Sequence, residues 1–293
     1  MVKSFKFIWG GVRVPVESQY LSFQGLRVHF RVIEPETELK HRLLMLASPL
    51  TSTFNWRKLV PELAQLGCLM VLVDLPGFGE SDCGPGVPHG NDIRAHMTWG
   101  VLDEIDRRTG EELALWHLMA HGSACQTILT MANEYPDSVR SQIHVSPILE
   151  GIPLPRQKFS FAGGGRSAED KWYDRNILSA EGFQKLAEQL FARQTDDYVT
   201  ERMHHFLTRP GARDGFLHLL SGSGSVEPSR GFAPVMALWG GRDMLMNEKS
   251  CAAVNQFLPE AEKHVLKTAG HFPMETHSKA MRDYLRGWLR YVE

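Results

Sequence analysis

The chain contains no run of five like charges and no apolar stretch approaching the ~18 residues that cross a bilayer. Nucleic acid and membrane are therefore not expected as partners. Cysteine is scarce. Cys68, Cys83, Cys125 and Cys251 lie far apart, and none joins a C-x-x-C pair or a spaced Cys/His framework. That spacing argues against a disulfide scaffold and against a structural metal. The opening MVKSFKFIWGGVRVPV has two lysines but only a short apolar stretch, broken by Gly10 and Gly11 and followed by no small-residue cleavage site. A reduced, cytoplasmic protein is expected. No internal repeat is visible, and 32 basic against 34 acidic residues leave a net charge of −2. What is present is an ordinary globular composition, 43% hydrophobic and 23% charged over 293 residues, enough to bury a substantial core.

Alternating runs around Gln24-Gly25 predict a hairpin from Tyr20 to Ile33. Leu43 to Ala47 and Cys68 to Val73 are short, wholly apolar runs of the kind buried on both faces of a parallel sheet. A helix is predicted between them, Phe54 to Leu66, although Pro61 weakens its middle. After a Gly/Pro-rich loop from Pro76 to Gly90, the four-residue recurrence of Ile93, Met97, Val101 and Ile105 behind Asn91 or Asp92 predicts a core-facing helix. Leu113 to Met119 reads as a strand, Ser123 to Tyr135 as a helix and Val139 to Val145 as a strand. The rhythm then stops. Residues 148–232, with the Gly163-Gly164-Gly165 triplet and the Ser221 to Ser225 Gly/Ser stretch, read as an inserted helical subdomain. It resumes with a strand Val235 to Trp239, a helix Asn247 to Phe257, a strand Lys263 to Lys267 and a helix from Met274 onward. This alternation predicts a mostly parallel sheet covered by helices on both faces. The expected organisation is a first core part over 1–147, the insertion over 148–232 and a second core part over 233–293.

Four strings, in order, carry a resemblance: Trp56-Arg57-Lys58-Leu59-Val60-Pro61-Glu62-Leu63; Asp74-Leu75-Pro76-Gly77-Phe78-Gly79-Glu80-Ser81-Asp82; Trp239-Gly240-Gly241-Arg242-Asp243; and Ala269-Gly270-His271-Phe272-Pro273. Each is weak alone. Together, from about residue 20 to the C-terminus, the chain resembles the α/β-hydrolase superfamily. The resemblance implies an α/β fold with an eight-stranded sheet, a helical cap formed by the insertion, and an active site at the C-terminal strand ends. It also implies jobs for two residues: Asp243 as the acid that orients a histidine, and His271 as that histidine. Taken alone, Asp243 reads as a helix N-cap and His271 as a loop histidine; the joint match favours the catalytic pair.

The family's nucleophile elbow reads small-x-nucleophile-x-small. With Ala120 and Ala124 as the small pair, the nucleophile position falls on Gly122, which tolerates the positive φ of the tip. The usual nucleophile is then missing. A one-residue shift makes Ser123 the tip but puts His121 and Cys125 at the small positions. His121 is expected to pack beneath the elbow, and Cys125 to be a buried thiol at the helix start. In the oxyanion loop, Ala47 and Ser48 replace the family's His-Gly pair, so the donor falls on Pro49, which has no N–H. A slip of one residue returns that role to Leu50. Losing one such donor typically costs about 10²–10³ in kcat.

His117 and His121 share a strand face without a third ligand by spacing, so no metal site is expected, nor any cofactor. Trp172, Tyr173, His204, His205 and Phe206 are candidates to line a pocket. The leading functional reading is an enzyme that keeps the Asp243–His271 pair and lets His271 activate water, or take a proton from a small, largely apolar substrate. One alternative is a serine hydrolase using Ser123. Another is a binding protein of the same fold that has lost catalysis. Oligomeric state is not encoded in any pattern.

Overall fold

A computed structural model describes residues 17–111, 114–151, 168–221 and 226–293. The opening segment through Val16, Leu113, the Gly163–Gly165 triplet and most of the Ser221 to Ser225 stretch lie outside the described residues. Eight strands form one sheet: β1 Gln19–Phe23, β2 Leu26–Ile33, β3 His41–Leu46, β4 Cys68–Val73, β5 Trp116–His121, β6 Val139–Val145, β7 Val235–Gly240 and β8 Glu262–Leu266. Their spatial order is β1-β2-β4-β3-β5-β6-β7-β8. β2 runs antiparallel to β1 and β4, and every pair from β4 through β8 is parallel.

The central strands are buried on both faces, so their alternating side chains feed two separate cores. Leu43, Met45, Met70, Leu72 and Ile143 enter one core with Leu285 and Trp288. Leu44, Leu46, Val71, Leu118 and Ala120 enter the other with Val101, Leu102, Ile128 and Val254. The first core is covered by α1 Val60–Ala64 and by α10 Ser278–Tyr291; the second by α2 Asn91–Thr109, α3 Ala124–Glu134 and α8 Glu248–Phe257. Between β6 and β7 stand α4 Ala168–Tyr173, α5 Ala180–Phe191, α6 Asp197–Thr208 and α7 Ala212–Ser221, with a π-helical turn Asp174–Leu178 after α4. Their apolar residues Ile177, Phe183, Leu190, Phe191 and Met203 join the first core.

Several local expectations are corrected. The helix expected over Phe54 to Leu66 is two pieces, a 3₁₀ turn Thr53–Trp56 and α1, because Pro61 cannot continue a helix but fits its first turn. Ile93 does not face the core: it is 37% exposed, while Arg94 and Ala95 turn inward at that end of α2. The strand expected to begin near residue 113 is β5, displaced to Trp116–His121. The last helix is interrupted at His277, between α9 Pro273–Thr276 and α10. β8 is a half-exposed edge strand, so its apolar signal is weak.

Candidate active site

Asp243 follows β7 and His271 follows β8, at the C-terminal edge of neighbouring strands. Both are buried. Asp243 Oδ2 accepts from His271 Nδ1 at 2.8 Å, and its Oδ1 accepts from the Leu245 backbone N–H at 2.9 Å. Both carboxylate oxygens are thereby engaged, and the imidazole proton is held on Nδ1. Nε2 is buried and has no partner among the described residues. The His271 backbone is fixed from two sides: its N–H donates to Leu190 O of α5 at 2.6 Å, and its carbonyl accepts from His121 Nε2 at 2.8 Å. The His121 and His271 rings lie 4.6 Å apart. Burial first, and the neighbouring His271 second, push the His121 imidazole well below its usual range. It is neutral at pH 7 and serves as a support for the histidine loop.

Gly122 occupies the turn between β5 and α3 with φ +61°. Its N–H donates to Val145 O at 2.9 Å, which ties the turn to the end of β6. A Cβ at this position would lie 3.5 Å from His271 Nε2, so the turn aims its missing side chain at that nitrogen. The same point is 2.9 Å from Ser48 Oγ. Ser48 and His271 therefore converge on one spot above Gly122.

Ser123 stands one residue past the tip, in right-handed helical conformation, as the N-cap of α3. Its Oγ is buried and makes no hydrogen bond, to His271 or to any other described residue. In the loop after β3, Pro49 offers no N–H, and the Leu50 N–H donates to Ser48 Oγ at 3.4 Å. Leu50's donor is thus directed at the serine hydroxyl, which keeps its own proton to donate elsewhere. Cys125 is inert by burial: its thiol is pushed far up, and Sγ donates to Ala120 O. His117 Nδ1 pairs with Ser141 Oγ at 2.9 Å.

The aromatic candidates have contacts of their own. Trp172 stacks on Phe216 at 5.8 Å, and Tyr173 donates through its hydroxyl to Leu207 O, so both pack within the helical segment. His204 Nε2 donates to Ile177 O at 2.7 Å. His205 is exposed and lines a cleft with Tyr20, Arg27, Glu80, Arg202 and Arg209. It sits on the face of α6 turned from the core that receives Val199 and Met203.

Ser146 escaped the sequence reading. It follows β6 beside the elbow, holds φ +45° and buries a hydroxyl with no partner among the described residues. Strain of this kind in a non-glycine residue costs on the order of 1 kcal/mol and collects at functional sites. No pattern in the sequence announces it.

Sheet order, elbow and paired acid and histidine define one class of protein. The chain belongs to the α/β-hydrolase fold family, whose model matches residues 43–278. It is similar to the 2-hydroxy-6-oxononadienedioate/2-hydroxy-6-oxononatrienedioate hydrolase of Paraburkholderia phymatum, at 23% identity over 80% of this chain and 81% of the relative. It is also similar to epoxide hydrolase 3 of Mus musculus, at 22% identity over 81% of this chain and 67% of that protein. Among solved structures, a bacterial membrane phospholipase A aligns with a TM-score of 0.73 at 19% identity, covering 97% of this chain and 87% of the other. A thermophilic esterase from Thermogutta terrifontis aligns at 0.66 and 16% identity, covering 94% and 99%. The structural likenesses establish the fold; the family and the named relatives make this a hydrolase-type enzyme.

Proposed function

We propose that His271, oriented by Asp243, acts as a general base at the tip of an elbow that carries no nucleophile. The observation that carries this reading is the 3.5 Å separation between His271 Nε2 and the point where a Gly122 Cβ would stand. In this reading a water held above Gly122 donates to Nε2, and the Ser48 hydroxyl steadies it from the opposite side. As Nε2 takes the proton, the water oxygen attacks the electrophilic carbon of a small, largely apolar substrate, and the electron pair of the bond it displaces passes to the substrate oxygen attached to that carbon. Asp243 stabilises the imidazolium that forms. The buried lone pair supports the assignment, because an unsatisfied polar atom in a native core costs roughly 1–3 kcal/mol and persists where function needs it. Proton abstraction from an acidic substrate carbon uses the same lone pair.

The segment 148–232 forms the cap over this site and residues 1–147 and 233–293 the core, in a cytoplasmic enzyme that needs no cofactor. The contact of Leu190 with the His271 backbone supports that placement of the cap. A second reading, hydrolysis by Ser123, draws on its unpartnered hydroxyl, but the residue lies in the helix and not at the tip.

Restoring a nucleophile tests the account. Gly122→Ser alone brings its Cβ against Ser48, so the informative variant is Gly122→Ser with Ser48→Ala. It is expected to hydrolyse p-nitrophenyl acetate above wild type, weakly, since one oxyanion donor remains absent at a cost of about 3–4 kcal/mol. Adding Pro49→Gly is expected to raise the rate further. If no variant exceeds its own His271→Ala control, the retained pair does not face the tip and the binding-protein reading gains.

A further inference from the structure

Arg94, in the first turn of α2, is 2% exposed. A guanidinium reaches such burial ordinarily with a carboxylate against it. Among the described residues none is present. Nη2 donates to His89 Nδ1 at 3.1 Å, the guanidinium carbon lies 5.1 Å from the Phe78 ring centroid, and Nε is buried without a partner. Burial alone pushes the group down to about 10, so it stays charged at neutral pH with no acid to offset it. The contrast with Arg42 is direct. Arg42 is nearly as buried but is held by Asp106 at 3.2 Å and Glu111 at 2.9 Å.

His89 holds the guanidinium in place. Arginine only donates, so His89 Nδ1 accepts and the ring proton sits on Nε2. Burial, then the charges of Arg94 and His218, push the imidazole down to about 4, which keeps it neutral. The cluster lies on the seam between cap and core: a Cβ on Gly215 of α7 would touch Gly77 O and His89 Cε1, each at 3.1 Å. It is also tied to the elbow. Asn91 Nδ2 donates to Gln126 Oε1 at 2.9 Å, Gln126 Nε2 to Ile148 O at 3.0 Å, and Ile148 N–H to Gly122 O at 3.1 Å.

We propose that Arg94, positioned by His89, forms a carboxylate-binding site at the cap–core seam, and that the substrate processed at Gly122 and His271 carries that carboxylate. The second half rests on the general-base reading above; the first does not. A carboxylate would accept from the Arg94 N–H groups that His89 does not engage and would supply the missing counter-charge, which is the interaction that an uncompensated buried cation favours most.

The test is thermal unfolding of the full chain and of Arg94→Met, Arg94→Lys and His271→Ala, each alone, with glutarate and with neutral glutaramide. Without ligand, Arg94→Met is expected to melt no lower than wild type, because it removes an unpaired buried charge. Glutarate is expected to raise the melting temperature of wild type and His271→Ala, and to bind Arg94→Met about ten- to a hundredfold more weakly. Arg94→Lys is expected to fall between, since it keeps the charge and loses the fork. Glutaramide is expected to shift none of them. A drop of several degrees in Arg94→Met, or its failure to fold, would make the arginine a structural bond and overturn the proposal. So would equal stabilisation of wild type and Arg94→Lys by glutarate, or no stabilisation of wild type by any dicarboxylate from malonate to adipate. Because His271→Ala retains the chain's whole seam, a failure of the general-base reading leaves this result intact.

Discussion

A side chain at position 122 would press on Ser48 before it reached His271, and this pairing of a bare turn with a nearby serine is the most local feature of the site. Gly122 is required twice, once by φ +61° and once by the 2.9 Å approach of Ser48 Oγ. Gly122→Ala is therefore expected to destabilise the fold by about 1–3 kcal/mol in urea unfolding, from left-handed backbone strain plus crowding. Adding Ser48→Gly is expected to recover the crowding part and leave the strain. An unchanged urea midpoint in Gly122→Ala would remove the steric link between the two residues. The glycine at the tip was readable in the sequence because Ala120 and Ala124 bracket it with the small residues a sharp strand-to-helix turn needs. The role of Ser48 was not, since its place beside the elbow depends on how two distant loops pack.

At the scale of elements, the site is assembled from the ends of β5, β7 and β8 and closed by α5. Gly270 sits directly under α5, and a Cβ there would run into Leu190 O and the Phe191 backbone. Gly270→Ala is expected to cost about 1–3 kcal/mol in stability and to weaken the His271 N–H to Leu190 O bond. Faster amide hydrogen exchange at His271 is the readout; unaltered exchange would mean that α5 does not brace the histidine. The strands β3, β4 and β7 were legible because burial on both faces writes most of each as a continuous apolar run. β8 was legible only to within a residue, since an edge strand half in water carries little apolar signal. The helix read over Phe54 to Leu66 failed at Pro61, where local backbone chemistry overrides the apolar pattern. The misreading of Ile93 has a different origin, because periodicity finds a helix face but not which end of the helix turns toward the core. That end instead holds Arg94, whose burial no propensity argument anticipates.

For the whole molecule, the buried neutral histidines make the fold acid-sensitive. Burial, helped by His41 and Arg140, brings His117 down to about 3; burial alone does the same for His144, and His121 is lowered as well. Each binds a proton readily only when unfolded, so stability is full above about pH 6.5 and is lost as pH falls toward 3. Within that window each contributes about 1.4 kcal/mol per pH unit, and the urea midpoint is expected to drop steeply between pH 6.5 and 5. A flat profile there would show these rings protonated in the native state. The claim on which the rest depends is that His271 Nε2 faces a tip without a nucleophile. Its most direct test is fluorophosphonate labelling read by peptide mass spectrometry, on wild type and on Gly122→Ser with Ser48→Ala. The account predicts no rapid labelling of wild type, and labelling at residue 122 of the variant that disappears with His271→Ala. Stoichiometric labelling of wild type at Ser123 would contradict it.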